Sequence, residues 1–146
     1  MPHPSTANVG GVRRALGYAT SGVLAAVAGV HVAWGIGSAL PFRTRAELAD
    51  AVVGSENVPP PFACYAVAAA LTTASLLVAD VAILPAQTRR LGRFVVAVVL
   101  TIRGVAGLAG RTDALSPGSS SPRFRRLDRR VYAPLCLALA AGAVVS

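Results

Sequence analysis

Residues 15–36 read ALGYATSGVLAAVAGVHVAWGI, 22 positions without an acid, an arginine or a lysine. Wound as a helix, the run would rise about 33 Å, enough to cross a hydrocarbon core of about 30 Å. Arg13 and Arg14 sit just before it, where arginines anchor a helix end at a membrane surface. A cleaved signal peptide is the rival reading, with Gly37-Ser38-Ala39 as its cleavage site. The run is long for such a peptide and carries His31 and Trp34, so a retained span is the better fit.

Working outward, two more apolar blocks follow at about 61–84 and 94–110, and a shorter one at about 127–145. The expected fold is all-α: a four-transmembrane-helix bundle in one domain over residues 15–146, after a flexible tail over 1–14. The fourth block has only fifteen residues after its last arginine, and it spans if Arg129 and Arg130 snorkel to the surface. Composition agrees with a membrane protein. Apolar residues make up 54% of the 146 and charged ones 14%, against roughly 25% charged in an ordinary soluble domain.

Between the first two blocks, Thr44-Arg45-Ala46-Glu47 fits a capping box, in which hydroxyl and carboxylate satisfy free backbone donors at a helix start. A short interfacial helix is expected from there to Val53, with Leu48 and Val52 on one face and Gly54 ending it. Pro59-Pro60-Pro61 then leads stiffly into the second span, and Ser116 to Pro122 forms a flexible stretch before the fourth.

All fourteen basic residues are arginine, and the net charge is +8. A G+C-rich genome explains the arginine bias, and the arginines flank apolar blocks, so the charge fits anionic lipid headgroups and not nucleic acid. Four crossings put both termini on one side, here side A. Five arginines (13, 14, 89, 90, 93) fall on side A and eight (43, 45, 111, 123, 125, 126, 129, 130) on side B. Counting places side B in the cytoplasm and the weight of the first helix places side A there, so orientation stays open.

Small residues let membrane helices approach closely. Gly17, Ser21, Ala25, Gly29, Ala33 and Gly37 recur every four residues along the first span, and Gly104, Gly107 and Gly110 end the third. These stripes are read as packing within the bundle, with homo-oligomerisation through the same faces as the alternative.

Ionisable residues inside a span cost roughly 2.5 to 3.5 kcal/mol each, so they carry a partner or a role. His31, Asp80 and Arg103 qualify. Threaded antiparallel, His31 and Arg103 share a layer roughly 7 to 10 Å below the side B surface. Trp34 lies one turn from His31, and Cys64, Tyr65, Tyr132 and Cys136 open their helices at the same end. His31, Trp34, Arg103 and Tyr132 are therefore the candidate ligand-binding residues. Aromatic belts, a snorkelling Arg103 and a histidine bonded between helices are the plainer readings of the same residues. Asp80 falls at the side A surface within reach of Arg89 or Arg93.

Several chemistries fail on residue counts. Two histidines, His3 and His31, and the isolated Cys64 and Cys136 supply neither a zinc site nor a thiol pair, and no metal or cofactor is expected.

Three motifs, His31-x-x-Trp34-x-x-Gly37, Arg103-Gly104-x-x-Gly107 and Leu127-Asp128-x-x-x-Tyr132-x-Pro134-Leu135-Cys136, resemble those of the bacterial domain-of-unknown-function family 3995. The resemblance covers about residues 15–145. It implies a four-helix protein of the bacterial cell membrane and no particular activity, and it draws attention to His31, Trp34, Arg103, Asp128 and Tyr132, with Asp128 and Pro134 read as structural positions. Asp128 is expected to pair with Arg125 or Arg129, or to cap the fourth helix.

The leading functional expectation is an accessory or interaction bundle with a lipid or hydrophobic-ligand pocket on side B, where Arg103 and His31 receive a polar headgroup. The alternatives are a membrane enzyme of oxidoreductase type acting on a lipophilic substrate, and a small dimeric transporter.

Overall fold

The structure, a computed structural model, describes residues 6–81 and 84–146. The expected loose tail over residues 1–5 lies outside the described residues, as do positions 82 and 83 of the second block. All regular structure among the described residues is helical. In chain order these are α1 (Thr6–Gly35), α2 (Arg45–Leu48) running into a π-helical turn (Ala49–Val53), α3 (Pro61–Val78), α4 (Ala86–Leu108), α5 (Thr112–Leu115), α6 (Pro122–Leu127), a second π turn (Asp128–Tyr132) and α7 (Ala133–Val145).

Three helices, Asn8–Gly35, Pro61–Val78 and Ala86–Leu108, are long and apolar enough to cross a membrane. The fourth expected span is less clear. α7 has 13 residues, a rise of about 20 Å, although helix runs on without a break from Pro122 through the arginines.

Helix ends differ from the expected ones for identifiable reasons. α1 starts at Thr6 and not near residue 15, because Gly10 and Gly11, which cost about 1 kcal/mol each in a helix, do not stop it. α4 starts at Ala86 and not at residue 94, taking Arg89, Arg90 and Arg93 into its first turns. α3 stops at Val78, where Asp80 adopts a left-handed conformation (φ +57°). There Val81 N–H bonds Leu76 O and Asp80 N–H bonds Leu77 O, a Schellman ending. Gly37 (φ +103°) and Gly110 (φ +69°) close α1 and α4 in the same way.

α1 packs mainly on α3 and α4 on α7, with α1–α7 and α3–α4 contacts closing the ring. The core is small: Leu24, Ala74, Val78, Ala97, Leu139 and Ala143. Short polar side chains pin the helices. Ser21 Oγ and Ser75 Oγ lie 2.9 Å apart, and Ser75 Oγ donates to Ser21 O at 2.9 Å. Arg13 Nε donates to Val145 O at 2.8 Å, joining the first turns of α1 to the end of α7.

The buried face of α1 corrects the expected glycine stripe. It runs through Gly17, Thr20, Leu24, Ala28 and Gly35, while Ala25 and Gly29 are exposed. A Cβ on Gly29 would meet nothing within 4 Å. Residues four apart advance by more than one turn, so a strict four-residue stripe drifts about 40° per step around the helix. The alternating three-and-four spacing keeps to one side.

Much of the outer surface is apolar: Val23, Val99, Ile102 and Phe94 are each at least 39% exposed.

Candidate functional site

The short elements assemble over one end of the bundle, side B. Thr44 Oγ1 accepts from Glu47 N–H at 3.2 Å, and a Glu47 carboxylate oxygen accepts from Arg43 N–H at 3.1 Å. This is the expected cap with its return bond shifted one residue. Gly54 (φ +77°) ends the helix, and a Cβ there would lie 2.9 Å from the Phe124 ring.

α2 and its π turn are packed into the protein. Leu48, Ala49 and Ala51 are all buried, and the π turn packs on α6. The carbonyls this turn leaves free are taken by the opposite segment: Ser121 Oγ donates to Asp50 O at 3.0 Å and Tyr132 Oη to Ala51 O at 3.1 Å. Ser120 and Ser121 N–H both bond Gly54 O, and Arg123 reaches Asp50 at 3.8 Å.

Pro134 explains the second π turn. Proline has no N–H to bond the carbonyl four residues back, and its ring crowds that carbonyl, so the preceding turn widens. Ala133 N–H bonds Asp128 O instead, and Asp128 is carried inward to 2% exposure.

Asp128 does not pair with Arg125 or Arg129. Arg103 Nη2 donates to Asp128 Oδ1 at 2.7 Å, and the Thr112 hydroxyl donates to Oδ2. Gly107 makes room for this. A Cβ there would lie 2.7 Å from Ala133 Cβ, 2.9 Å from Arg103 Nη1 and 3.0 Å from Asp128 Oδ1. Gly104 similarly admits Leu137 and Ala133. Arg103 Nη1 is buried and has no acceptor among the described residues.

Beside the ion pair lies a cavity of about 310 Å³. His31 and Trp34 reach it from α1, Cys64 and Val67 from α3, Arg103 from α4, and Thr112, Ser116 and Ser119 from α5 and the loop after it. Leu48, Val52 and Phe124 complete an apolar wall. The His31 and Trp34 rings lie 4.8 Å apart at 57°. His31 Nδ1 is 2.9 Å from Val27 O, and Trp34 Nε1 donates to Leu40 O at 2.6 Å. Ser119 Oγ donates to Ser116 Oγ at 3.1 Å.

The structure thus brings three of the four candidate ligand-binding residues, His31, Trp34 and Arg103, around one cavity. Tyr132 is outside its lining, tied instead to Ala51 and packed near Phe124 with centroids 6.3 Å apart. Tyr65 is absent from the lining too and covers Gly35. Asp80 lies at the other end, bonded by Arg89 at 2.8 Å with Arg93 at 3.4 Å.

Sequence reasoning missed Thr112, Ser116 and Ser119, which it read as loop. It also missed the partner of Arg103. The chain has six acids, and both Asp113 and Asp128 lie beside apolar blocks at the side B end, so the sequence does not choose between them. No group of three or more metal-ligating side chains occurs among the described residues.

A family model described as "Protein of unknown function (DUF3995)" matches residues 24–143. No curated protein and no solved structure matches the chain.

Proposed function

From the premise that this chain belongs to the DUF3995 family, we propose that it is a four-span membrane protein whose side B cavity holds the polar end of a lipophilic molecule. The observation that carries this reading is the cavity itself. Side chains from α1, α3, α4 and the α5 region meet around about 310 Å³ that is mostly apolar with a few polar groups, the usual make-up of a small-molecule site. Three apolar helices of spanning length support the membrane setting, and the Arg13–Val145 contact supports both chain ends lying on one side. The role is binding, in an accessory or interaction protein of the bacterial cell membrane.

Trp34 is the only tryptophan and lines the cavity, so its emission reports occupancy directly. Delipidated protein in detergent, titrated with a bacterial membrane lipid extract, should show a saturable blue shift. Emission that does not respond, or that drifts linearly with added lipid, would remove the reading.

A further inference from the structure

We infer that the occupant's polar end is uncharged and carries a hydroxyl: the site takes a neutral lipid and discriminates against phosphate headgroups. This rests on the cavity being a lipid site and states what kind of lipid it selects.

Charge balance comes first. Among the described residues Arg103 is the one cation in the lining, and its charge is already matched by Asp128 at 2.7 Å, whose second oxygen is held by Thr112. A phosphate entering beside the pair would bring a net negative charge into a low-dielectric site and would face the Asp128 carboxylate. Arg103 Nη1, left without an acceptor among the described residues, is buried and presents no open surface to a molecule in the cavity. A neutral headgroup leaves the balanced pair as it is.

The remaining polar atoms decide between hydroxyl and other neutral groups. Val27 O can only accept, so His31 Nδ1 carries the proton in their 2.9 Å bond. In the neutral imidazole this leaves Nε2 as an acceptor, and among the described residues nothing donates to it. Ser116 accepts from Ser119, which leaves its own proton to give away. The Trp34 N–H is spent on Leu40 O. An acceptor at His31 Nε2 and a donor at Ser116 suit a hydroxyl, which donates to the first and accepts from the second. A cavity of about 310 Å³ is at the small end for ligand sites, so it holds a headgroup and leaves the acyl chains outside.

The test uses two probes with identical chains, dioleoylglycerol and dioleoylphosphatidic acid, titrated into the full-length protein in dodecyl maltoside while Trp34 emission is read. The diacylglycerol should bind at least about tenfold more tightly, a difference of about 1.4 kcal/mol. His31→Phe should abolish that preference, and His31→Gln, which keeps an acceptor, should retain most of it; thermal midpoints check that both variants fold. Equal or tighter binding of the phosphatidic acid overturns the neutral-headgroup inference while leaving the lipid site standing. If neither probe moves the emission, both fall. If His31→Phe keeps the full preference, the hydroxyl is not read by His31 and the inference fails in that form.

Discussion

Asp128 sits at 2% exposure with Arg103 on one oxygen and Thr112 on the other, so its carboxylate is stable there only while those partners remain. Arg103→Met strands a buried charge. The usual cost is about 3 to 5 kcal/mol, and the lower end applies because the Arg103 side chain is 30% exposed. The double variant Arg103→Met with Asp128→Leu removes both charges and should recover to within about 1 kcal/mol of the parent. Unfolding free energies in mixed micelles measure the cycle. An Arg103→Met protein as stable as the parent would mean the pair is not holding α4 to the turn before α7.

Helix packing makes a contrasting pair of expectations for two glycines. Gly107→Ala drives a Cβ to 2.7 Å from Ala133 Cβ and into the ion pair, and should destabilise by about 1 to 3 kcal/mol. Gly29→Leu meets open space and should leave the monomer's thermal midpoint unchanged. Reversal of that order would place the packing face of α1 elsewhere. These residues also show what could be read in advance. The apolar runs of α1, α3 and α4 were legible because a span needs little beyond length and the absence of charge. The layer shared by His31 and Arg103 was legible because antiparallel threading converts residue counts into depth. The face of α1 was misjudged because an arithmetic repeat of four is not the helical repeat. The pairing of Asp128 was hidden by a π turn, which rotates the residues before Pro134 and which no periodicity announces. Thr112, Ser116 and Ser119 were hidden by composition: a Ser/Pro/Gly stretch reads as loose linker until another segment, here the α2 turn, supplies partners for its hydroxyls and amides.

At the scale of the molecule, the two ends of the bundle divide the labour. Side A gathers Arg89 and Arg93 around Asp80, joining the end of α3 to the first turns of α4. Side B is a cap built from the α1–α3 and α4–α7 connections, which lock together through Gly54, Ser121 and Tyr132 and roof a cavity above the Arg103–Asp128 pair. Between them lies a belt of bare valine, isoleucine and phenylalanine suited to lipid. A binding role requires that cavity to be occupied. Native mass spectrometry of protein purified in mild detergent tests this most directly, with Ala63→Phe as the comparison because Ala63 lines the cavity and a phenyl ring there would fill it. The parent should carry one bound lipophile that survives gentle activation, and Ala63→Phe should fly bare. A parent free of adduct, or an adduct retained equally by Ala63→Phe, would contradict the account.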